Sequence, residues 1–185
     1  MHKLIENQVR ISVRNLVEFI LRSGDIDNRH STKAQYDAMQ IGSRLHRKIQ
    51  GSMPGTYKAE VSLKHTAHYR DVEILLEKSV EGEQANLLYQ TQTDENVSAE
   101  ISFIIDEIKV IRQDMEKLDS AAQVHVAQAL CYAYMYAKVL NTKAAGVTEE
   151  NEEKKRLCIG IQITYCHPET EEIKRFLKVY TFKEI

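Results

Sequence analysis

The segment Ile101-Ser-Phe-Ile-Ile-Asp-Glu-Ile-Lys-Val110 indicates the centre of the fold. Its first half is apolar at nearly every position, which is typical of a β-strand covered on both faces. Because strand side chains alternate, Glu107 and Lys109 are predicted to point to the same side. A carboxylate there can hold a divalent cation, and an amine beside it can activate the bound water and stabilise the charge of a phosphoryl transition state. The structural alternative is an exposed ion pair at a strand end, which contributes little to stability.

The sequence around this strand predicts further helices and strands. Apolar residues recur every three or four positions in the helices and at every second position in several strands. The element order, ααββββαββ, is typical of a mixed sheet flanked by helices, so we expect one α/β domain over residues 1–185. The predicted helices cover 11–23, which Ser12 caps, a segment from 31 or 32 to about 50, and 119–140. The predicted strands cover 57–63, 72–76, 86–92, 97–110, 157–165 and 173–182, and the first two are expected to form a hairpin.

The charge of the chain neither requires nor excludes a nucleic-acid partner. The net charge is −2 and the pI is near 6.4, which is not the strongly basic profile of proteins that hold nucleic acid by overall charge. An enzyme with an acidic metal site needs only a local basic rim. Two such clusters are present, one at 29–33 and one at 44–48.

The cysteines and the lack of a long apolar segment indicate a cellular location. Cys131, Cys158 and Cys166 are scattered and odd in number, which argues against a disulfide framework and a structural zinc site. No segment is long and apolar enough to span a bilayer, and the first residues lack a signal-peptide pattern. We therefore expect a cytoplasmic protein with no membrane partner. The sequence contains no Gly-x4-Gly-Lys-(Ser/Thr) motif, so the chain holds no P-loop motor.

Two predicted helices carry polar residues that could face a site. His46 follows Gly42 by one turn, and the glycine would allow another element to approach closely. Gln128 and Tyr132 are four residues apart and therefore neighbours on one helix face, one turn after His125. Taken alone, His46 is more simply a packed or surface histidine. Gln128 and Tyr132 are likewise compatible with satisfied hydrogen bonds in the core.

In chain order, these features resemble the motifs of the RecB-type branch of the PD-(D/E)xK nuclease superfamily. The matching segments are Gly42-Ser-Arg-Leu-His46, Glu107-Ile-Lys109 and Gln128-Ala-Leu-Cys-Tyr132. Two longer runs, 11–25 and 165–175, are similar to nuclease-like domains fused ahead of DinG-type helicases. The resemblance covers nearly the whole chain. It implies a restriction-endonuclease-like mixed β-sheet flanked by helices and Mg²⁺- or Mn²⁺-dependent hydrolysis of DNA.

The resemblance also implies a role for each matched residue. The expected metal ligands are His46, Glu81, Glu107 and the carbonyl of Ile108. The expected catalytic residues are Glu81, Glu107 and Lys109, and the expected substrate contacts are Gln128 and Tyr132. The implied activity is that of an exonuclease-like deoxyribonuclease acting on DNA ends or single strands in DNA repair or processing. A helicase is the partner that the resemblance implies.

The second carboxylate is the main departure from the family pattern. The family usually places an aspartate in a segment like Glu-Gly-Arg-Ala-Asp-Gly. A match without gaps puts Glu81 at that position and keeps the glycine, Gly82. The competing match puts Asn86 there, and an amide is a poor ligand for Mg²⁺, so we prefer Glu81. Some relatives hold an iron–sulfur cluster with four cysteines, which three cysteines cannot supply, and we expect no cluster here.

Three functional hypotheses follow from the sequence. The leading one is a single-domain, metal-dependent deoxyribonuclease. The second is a catalytically degenerate nuclease fold that binds DNA or serves as an interaction module attached to a helicase, and the unusual Glu81 segment keeps it open. The third is an unrelated α/β binding domain, for which the order of the motifs would be a coincidence.

Overall fold

The computed structural model describes residues 8–21, 33–79, 82–89, 101–144 and 158–185. These residues form three helices and eight strands. The helices are α1 (Val13–Ile20), α2 (Lys33–Gly51) and α3 (Gln123–Ala144). The strands are β1 (Gln8–Ile11), β2 (Tyr57–Leu63), β3 (His65–Tyr69), β4 (Val72–Leu76), β5 (Glu83–Leu88), β6 (Ile101–Val110), β7 (Cys158–Cys166) and β8 (Ile173–Thr181).

The described strands form two sheets rather than the single sheet that we expected. The smaller sheet has the order β1-β4-β3, and the larger has the order β2-β5-β6-β7-β8. Both are mixed, because β1 and β4 run parallel, as do β6 and β7, while the other pairs are antiparallel. β6 occupies the centre of the larger sheet. The α/β class with flanking helices and the central place of Ile101–Val110 are therefore confirmed.

The hairpin predicted between 57–63 and 72–76 is wrong. β2 pairs with β5, whereas β4 pairs with β3 on one side and with β1 on the other. Alternation of apolar and polar residues marks a strand but does not identify its partner. The chain instead reverses at Arg70, whose φ of +56° closes the β3–β4 hairpin. Strand β1 was not predicted at all, since its four residues are too few for a periodic pattern.

Different helices cover the two faces of β6. Ile105 belongs to the main core and packs in one cluster with Ala129 of α3. Ile108 lies on the opposite face and packs with Leu45 and Ile49 of α2. Since successive side chains alternate, Glu107 and Lys109 lie on the α3 side and Asp106 on the α2 side. This double coverage explains why the first half of the strand is almost wholly apolar.

The observed helix boundaries agree with the prediction at the start of α1 and differ from it at the end of α3. Ser12 caps α1 as predicted, because its Oγ accepts the backbone N–H of Asn15 at 3.1 Å. The helix ends at Ile20, and the predicted stop at Gly24 lies outside the described residues. Helix α3 runs to Ala144, past its predicted end. Within the described residues, no helix is both long and apolar enough to cross a membrane.

Candidate active site

A pocket of about 920 Å³ opens beside the C-terminal half of β6. It contains six of the seven residues predicted for the site, which come from α2, β6 and α3. These six lining residues are His46, Glu107, Ile108, Lys109, Gln128 and Tyr132. The seventh, Glu81, lies outside the described residues. Segments far apart in sequence therefore come together in the arrangement that a single site requires.

Glu107 and Lys109 form a largely buried ion pair at this pocket. Their carboxylate oxygen and ammonium nitrogen are 2.8 Å apart, and the side chains are 12% and 21% exposed. Burial raises the pKa of Glu107, and the Lys109 ammonium only partly offsets this effect. The pair thus differs from the exposed strand-end pair that was the structural alternative, and it faces the cleft.

A chain of hydrogen bonds continues from Lys109 across the site. Its Nζ donates to Oε1 of Gln128 at 3.0 Å, and Nε2 of Gln128 donates to the Tyr132 hydroxyl at 3.0 Å. That hydroxyl donates to Oε2 of Glu83 at 3.2 Å, and Oε1 of Glu83 accepts the Val13 N–H at 2.8 Å. The pair on α3 therefore joins the lysine of β6 to the first residues of β5 and α1.

Glu83 is a member of the site that the sequence did not reveal. Its side chain is buried, with 2% of the residue exposed. The preceding Gly82 has a φ of +97°, and a Cβ there would lie 2.6 Å from the Leu63 carbonyl oxygen, so glycine permits this close approach of β5 to β2. The signal that could have found Glu83 is alternation, because it shares a strand face with the apolar Ala85 and Leu87.

His46 reaches the pocket from the other side of the sheet. It is half-buried on α2, and its ring lies near the backbone of Ile108. Burial lowers the pKa of His46, and the positive charge of Lys109 lowers it further. The neutral imidazole is the form that binds a metal. No described element makes the close approach predicted at Gly42, since a Cβ added there would meet no described atom within 4 Å beyond its chain neighbours and the backbone of its own helix.

Asn86, the rival position for the second carboxylate, uses both its side-chain oxygen and its side-chain nitrogen in hydrogen bonds. Its Oδ1 accepts Nε2 of Gln50 and the backbone N–H of Glu60, both at 3.1 Å. Its Nδ2 donates to the carbonyl of Asp106 at 3.1 Å. A carboxylate could not make this last bond, because it has no hydrogen to donate. The amide thus joins α2, β2 and β6 at the edge of the pocket.

Glu60 is a second pocket residue that the sequence did not reveal. The register of β2 shifts between Lys58 and Val61, and Glu60 has a φ of +54°, which is uncommon for a residue with a side chain. Bulges of this kind redirect side chains next to active sites. Glu60 lines the pocket, and its negative charge opposes the lowering of the pKa of His46. Simple alternation along β2 could not predict a residue that the bulge redirects.

The described residues fit a divalent cation only in part. Carboxylate and carbonyl oxygens are suitable ligands for Mg²⁺ and Mn²⁺, and Glu107, Ile108 and His46 line one pocket. Within the described part of the chain, however, no three His, Cys, Asp or Glu side chains form a group that could hold a metal. The predicted ligand set would need Glu81, which lies outside that part.

Basic residues around the pocket differ from the predicted rims. Two side chains of the 44–48 cluster, the arginine at its start and the lysine at its end, pair with Glu171 in the turn between β7 and β8, which ties α2 to the sheet. The side chains of the 29–33 cluster lie outside the described set. Arg10 and Arg14, which were not predicted, line the pocket with side chains 56% and 66% exposed. Each arginine is paired with a glutamate that also lines the pocket, Arg10 with Glu77 at 2.8 Å and Arg14 with Glu18 at 2.7 Å, so they bring balanced ion pairs to the pocket.

His125, the polar residue one turn before Gln128, anchors the first turn of α3. Its Nδ1 lies 2.8 Å from the Tyr165 hydroxyl, which also accepts the Ala122 N–H at 2.9 Å. Burial, with the positive charges of Lys109 and Arg14, lowers the pKa of His125 to about 4. These contacts fix the helix that carries Gln128 against strand β7.

Comparison with known proteins shows a distant structural likeness. No protein-family model matches the sequence, and no curated protein matches it. The chain is similar to the solved structure "Crystal structure of SSO0001", with a TM-score of 0.49 and 16% sequence identity, over 95% of this chain and 69% of that chain. We therefore infer function from the geometry of the pocket.

Proposed function

We propose that this pocket hydrolyses phosphodiester bonds of DNA with Mg²⁺ or Mn²⁺, in a restriction-endonuclease-like fold of the PD-(D/E)xK type. The observation that supports this proposal is convergence. His46, Glu107 and Gln128 belong to three segments far apart in sequence, yet all of them line one pocket together with Lys109. A coincidental match of short motifs gives no reason for their side chains to meet.

Each of these side chains has a task in such a reaction. The Lys109 ammonium stabilises the negative charge that develops on the reacting phosphate. Gln128 holds the Lys109 nitrogen in a fixed direction through its 3.0 Å hydrogen bond. Arg10 and Arg14 line the pocket in ion pairs with Glu77 and Glu18, and they would exchange these partners for the phosphates of a DNA strand that enters the pocket.

The cation would be held by His46, Glu107, the Ile108 carbonyl and Glu81. When bound, it would supply a nucleophilic water at neutral pH and neutralise charge on the phosphate. Glu107 would be both a ligand of the cation and the ion-pair partner of Lys109. The expected setting is DNA repair or processing in the cytoplasm, on DNA ends or single strands and beside a helicase.

Removal of the lysine is the primary test of this activity. Labelled single- and double-stranded DNA are incubated with the wild type in Mg²⁺, Mn²⁺ or EDTA. Lys109→Ala should lower the cleavage rate at least about 10²-fold while DNA binding in EDTA is retained, because the lysine acts on developing charge. Lys117→Ala is the matched control, since Lys117 is 83% exposed and outside the pocket. Wild-type cleavage by Lys109→Ala would contradict the mechanism.

Calorimetric titration with Mn²⁺ tests the ligand set separately. Glu81→Ala should abolish binding, because one carboxylate and one histidine hold such a cation poorly. Wild-type affinity in Glu81→Ala would reject that residue as a ligand. A wild type without affinity, together with binding gained in Asn86→Asp, would instead favour the rival position.

A second candidate function is a non-catalytic DNA-binding or helicase-attached module. The observation that favours it is the Lys109–Glu107 ion pair, which gives the carboxylate a charged partner without a metal ion. This candidate predicts DNA binding that is equal in EDTA and Mg²⁺, with no cleavage in either.

A further inference from the structure

Glu83 stands at one end of a hydrogen-bond chain whose other end is the proposed catalytic lysine. One carboxylate oxygen accepts the Val13 N–H at 2.8 Å, and the other accepts the Tyr132 hydroxyl at 3.2 Å. Gln128 lies between Tyr132 and Lys109, with 3.0 Å bonds to both. Glu83 and Gln128 are 2% and 7% exposed, so bulk water has little access to these bonds.

The carboxylate of Glu83 determines which group is the donor and which is the acceptor in each hydrogen bond between Glu83 and Lys109. A carboxylate offers acceptors alone, so the Tyr132 hydroxyl must donate to it. The hydroxyl oxygen then accepts from the NH₂ group of Gln128. With its NH₂ group turned to Tyr132, Gln128 must present its oxygen to Lys109. The opposite amide orientation would point NH₂ at an ammonium group, where no acceptor would be available.

We propose that Glu83 is a positioning residue that fixes the orientation of the Gln128 amide and thereby the place of the Lys109 ammonium. This inference rests on the proposed function in one respect, since Lys109 is the group whose position matters for cleavage. Glu83 acts through Tyr132 and Gln128. Its bond to the first amide of α1 holds the carboxylate still, because that amide belongs to a capped helix end.

The network requires Tyr132 to keep its proton, and its surroundings ensure this. Burial and the neighbouring negative charges of Glu107 and Glu83 raise the pKa of the Tyr132 hydroxyl. A hydroxyl that stays protonated can act as the donor to Glu83 at any physiological pH. Gln128 therefore has a constant acceptor on one side and Lys109 on the other.

Glu83→Gln is the direct test, because it keeps the shape and adds a competing NH₂ group. The ¹⁵N side-chain amide resonances of Gln128 and the backbone amide of Val13 are recorded in EDTA, without metal or DNA. We expect both signals to shift and the Gln128 hydrogens to exchange faster. Tyr132→Phe should shift the Gln128 signals as well while leaving the Val13 amide in place. Unchanged Gln128 signals in these variants would overturn the proposal, and Tyr132→Phe decides if Glu83→Gln does not fold.

The matched control is Glu184→Gln, since Glu184 is not among the residues that line the pocket. Glu184 also accepts one backbone N–H and one hydroxyl, both from Thr181, at 2.7 and 2.8 Å. Its replacement should leave the Gln128 signals unchanged. A shift of equal size in this control would mean that the response is nonspecific and would overturn the proposal.

Cleavage kinetics separate this inference from the proposed function. Glu83→Gln should lower kcat about tenfold or more with KM unchanged, as expected for a residue that supports a catalytic group indirectly. The double variant with Tyr132→Phe should be no slower than Tyr132→Phe alone, since Glu83 acts through that hydroxyl. A wild-type kcat in Glu83→Gln would reject the positioning role and leave the nuclease proposal standing. A wild type that cleaves nothing would reject the nuclease proposal, and the resonances would still decide the role of Glu83.

Discussion

Asp106 and Glu107 are adjacent residues of β6, yet their carboxylates lie in opposite surroundings. Asp106 faces α2 and is completely buried, with 0% exposure. Glu107 faces α3, lines the pocket and pairs with Lys109 at 2.8 Å. The alternation of the strand separates the two side chains although they share one stretch of backbone.

Neutral donors surround the Asp106 carboxylate. Its Oδ1 accepts the Thr164 hydroxyl at 2.6 Å and Nε2 of Gln162 at 3.1 Å, and its Oδ2 accepts the Tyr57 hydroxyl at 3.0 Å. These donors come from β7 and β2, so the carboxylate connects three strands of the larger sheet. All of its bonds are internal, and it does not line the pocket.

The contrast teaches which features turn a buried carboxylate into a functional one. A carboxylate that accepts its hydrogen bonds from fixed neutral donors and does not line the pocket serves the fold. Glu107 has the Lys109 ammonium as its partner and a pocket beside it, so its oxygens can be shared with a metal or a substrate. The raised pKa of Glu107 agrees with this view, because its surroundings do not fully compensate its charge.

Glu107→Gln should have the largest effect, and the effect should fall on activity. The amide keeps the shape of the side chain but removes the charge that a cation needs. We expect cleavage to fall at least about 10²-fold, with the fold retained. Asp106→Asn, the same change one residue earlier, should retain most of the cleavage rate. Equal losses in both variants, measured in one nuclease assay, would remove the distinction between the two carboxylates.

Asp106→Ala should have the next largest effect, and this effect should fall on stability. The change leaves three donors without their acceptor, two of them from the buried residues Thr164 and Gln162. We expect the free energy of unfolding to fall by about 2–4 kcal/mol, measured by urea denaturation. Asp106→Asn should recover much of this loss. A loss below about 1 kcal/mol in Asp106→Ala would show that water replaces the carboxylate.

The third prediction, with a smaller expected effect than the first two, is that Glu107 makes the stability of the protein depend on pH. Its folded pKa is raised above the usual value of 4.5, so the folded state holds its proton after the unfolded state has released it. Between 4.5 and the folded pKa, stability must therefore decline as pH rises. Below 4.5, both states are protonated and the contribution is fully present. Urea denaturation from pH 4 to 8 should show this decline in the wild type and a flatter profile in Glu107→Gln. Parallel profiles would contradict the shift.

The sequence predicted where the strands and helices lie better than it predicted which strands pair with each other. The run of isoleucines before Asp106 predicted a central strand because coverage on both faces leaves an unmistakable apolar pattern. Ser12 identified the start of α1 because its cap is a local interaction. The pairing of β2 depends on contacts with distant segments, which no local pattern contains. For that reason the predicted hairpin failed while the strand itself was found.

The residues of the candidate site likewise fall into those that the sequence predicted and those that it did not. His46, Lys109 and Gln128 were found because their spacing along single elements is visible in the sequence. Glu83 and Glu60 were missed because each depends on tertiary features, the close approach at Gly82 and the bulge in β2. Motif order thus predicted which segments meet, and only the register of the strands shows which neighbouring carboxylates meet with them.

Tyr57→Phe should have the smallest effect. It tests how much a single hydrogen bond to Asp106 contributes to stability. The change removes one of its donors but no carbon atom, so the packing of β2 is preserved. Tyr57 is half-buried on an outer strand of the sheet, where water can replace the lost hydroxyl. We therefore expect a loss of about 1 kcal/mol in the free energy of unfolding. Thr164→Val, at a position with 0% exposure, should cost about 2 kcal/mol because water has no access there.

The Tyr57 hydroxyl also has a pH signature that its removal should abolish. Burial and the Asp106 carboxylate raise its pKa above the usual value of 10. The folded state therefore keeps this proton where the unfolded state loses it, and the contribution is fully present below pH 10 and declines as pH rises further. The stability difference between the wild type and Tyr57→Phe should accordingly narrow from pH 9 to pH 11. A difference that stays constant over that range would mean that the hydroxyl does not bind Asp106, and the support of the buried carboxylate would then rest on β7 alone.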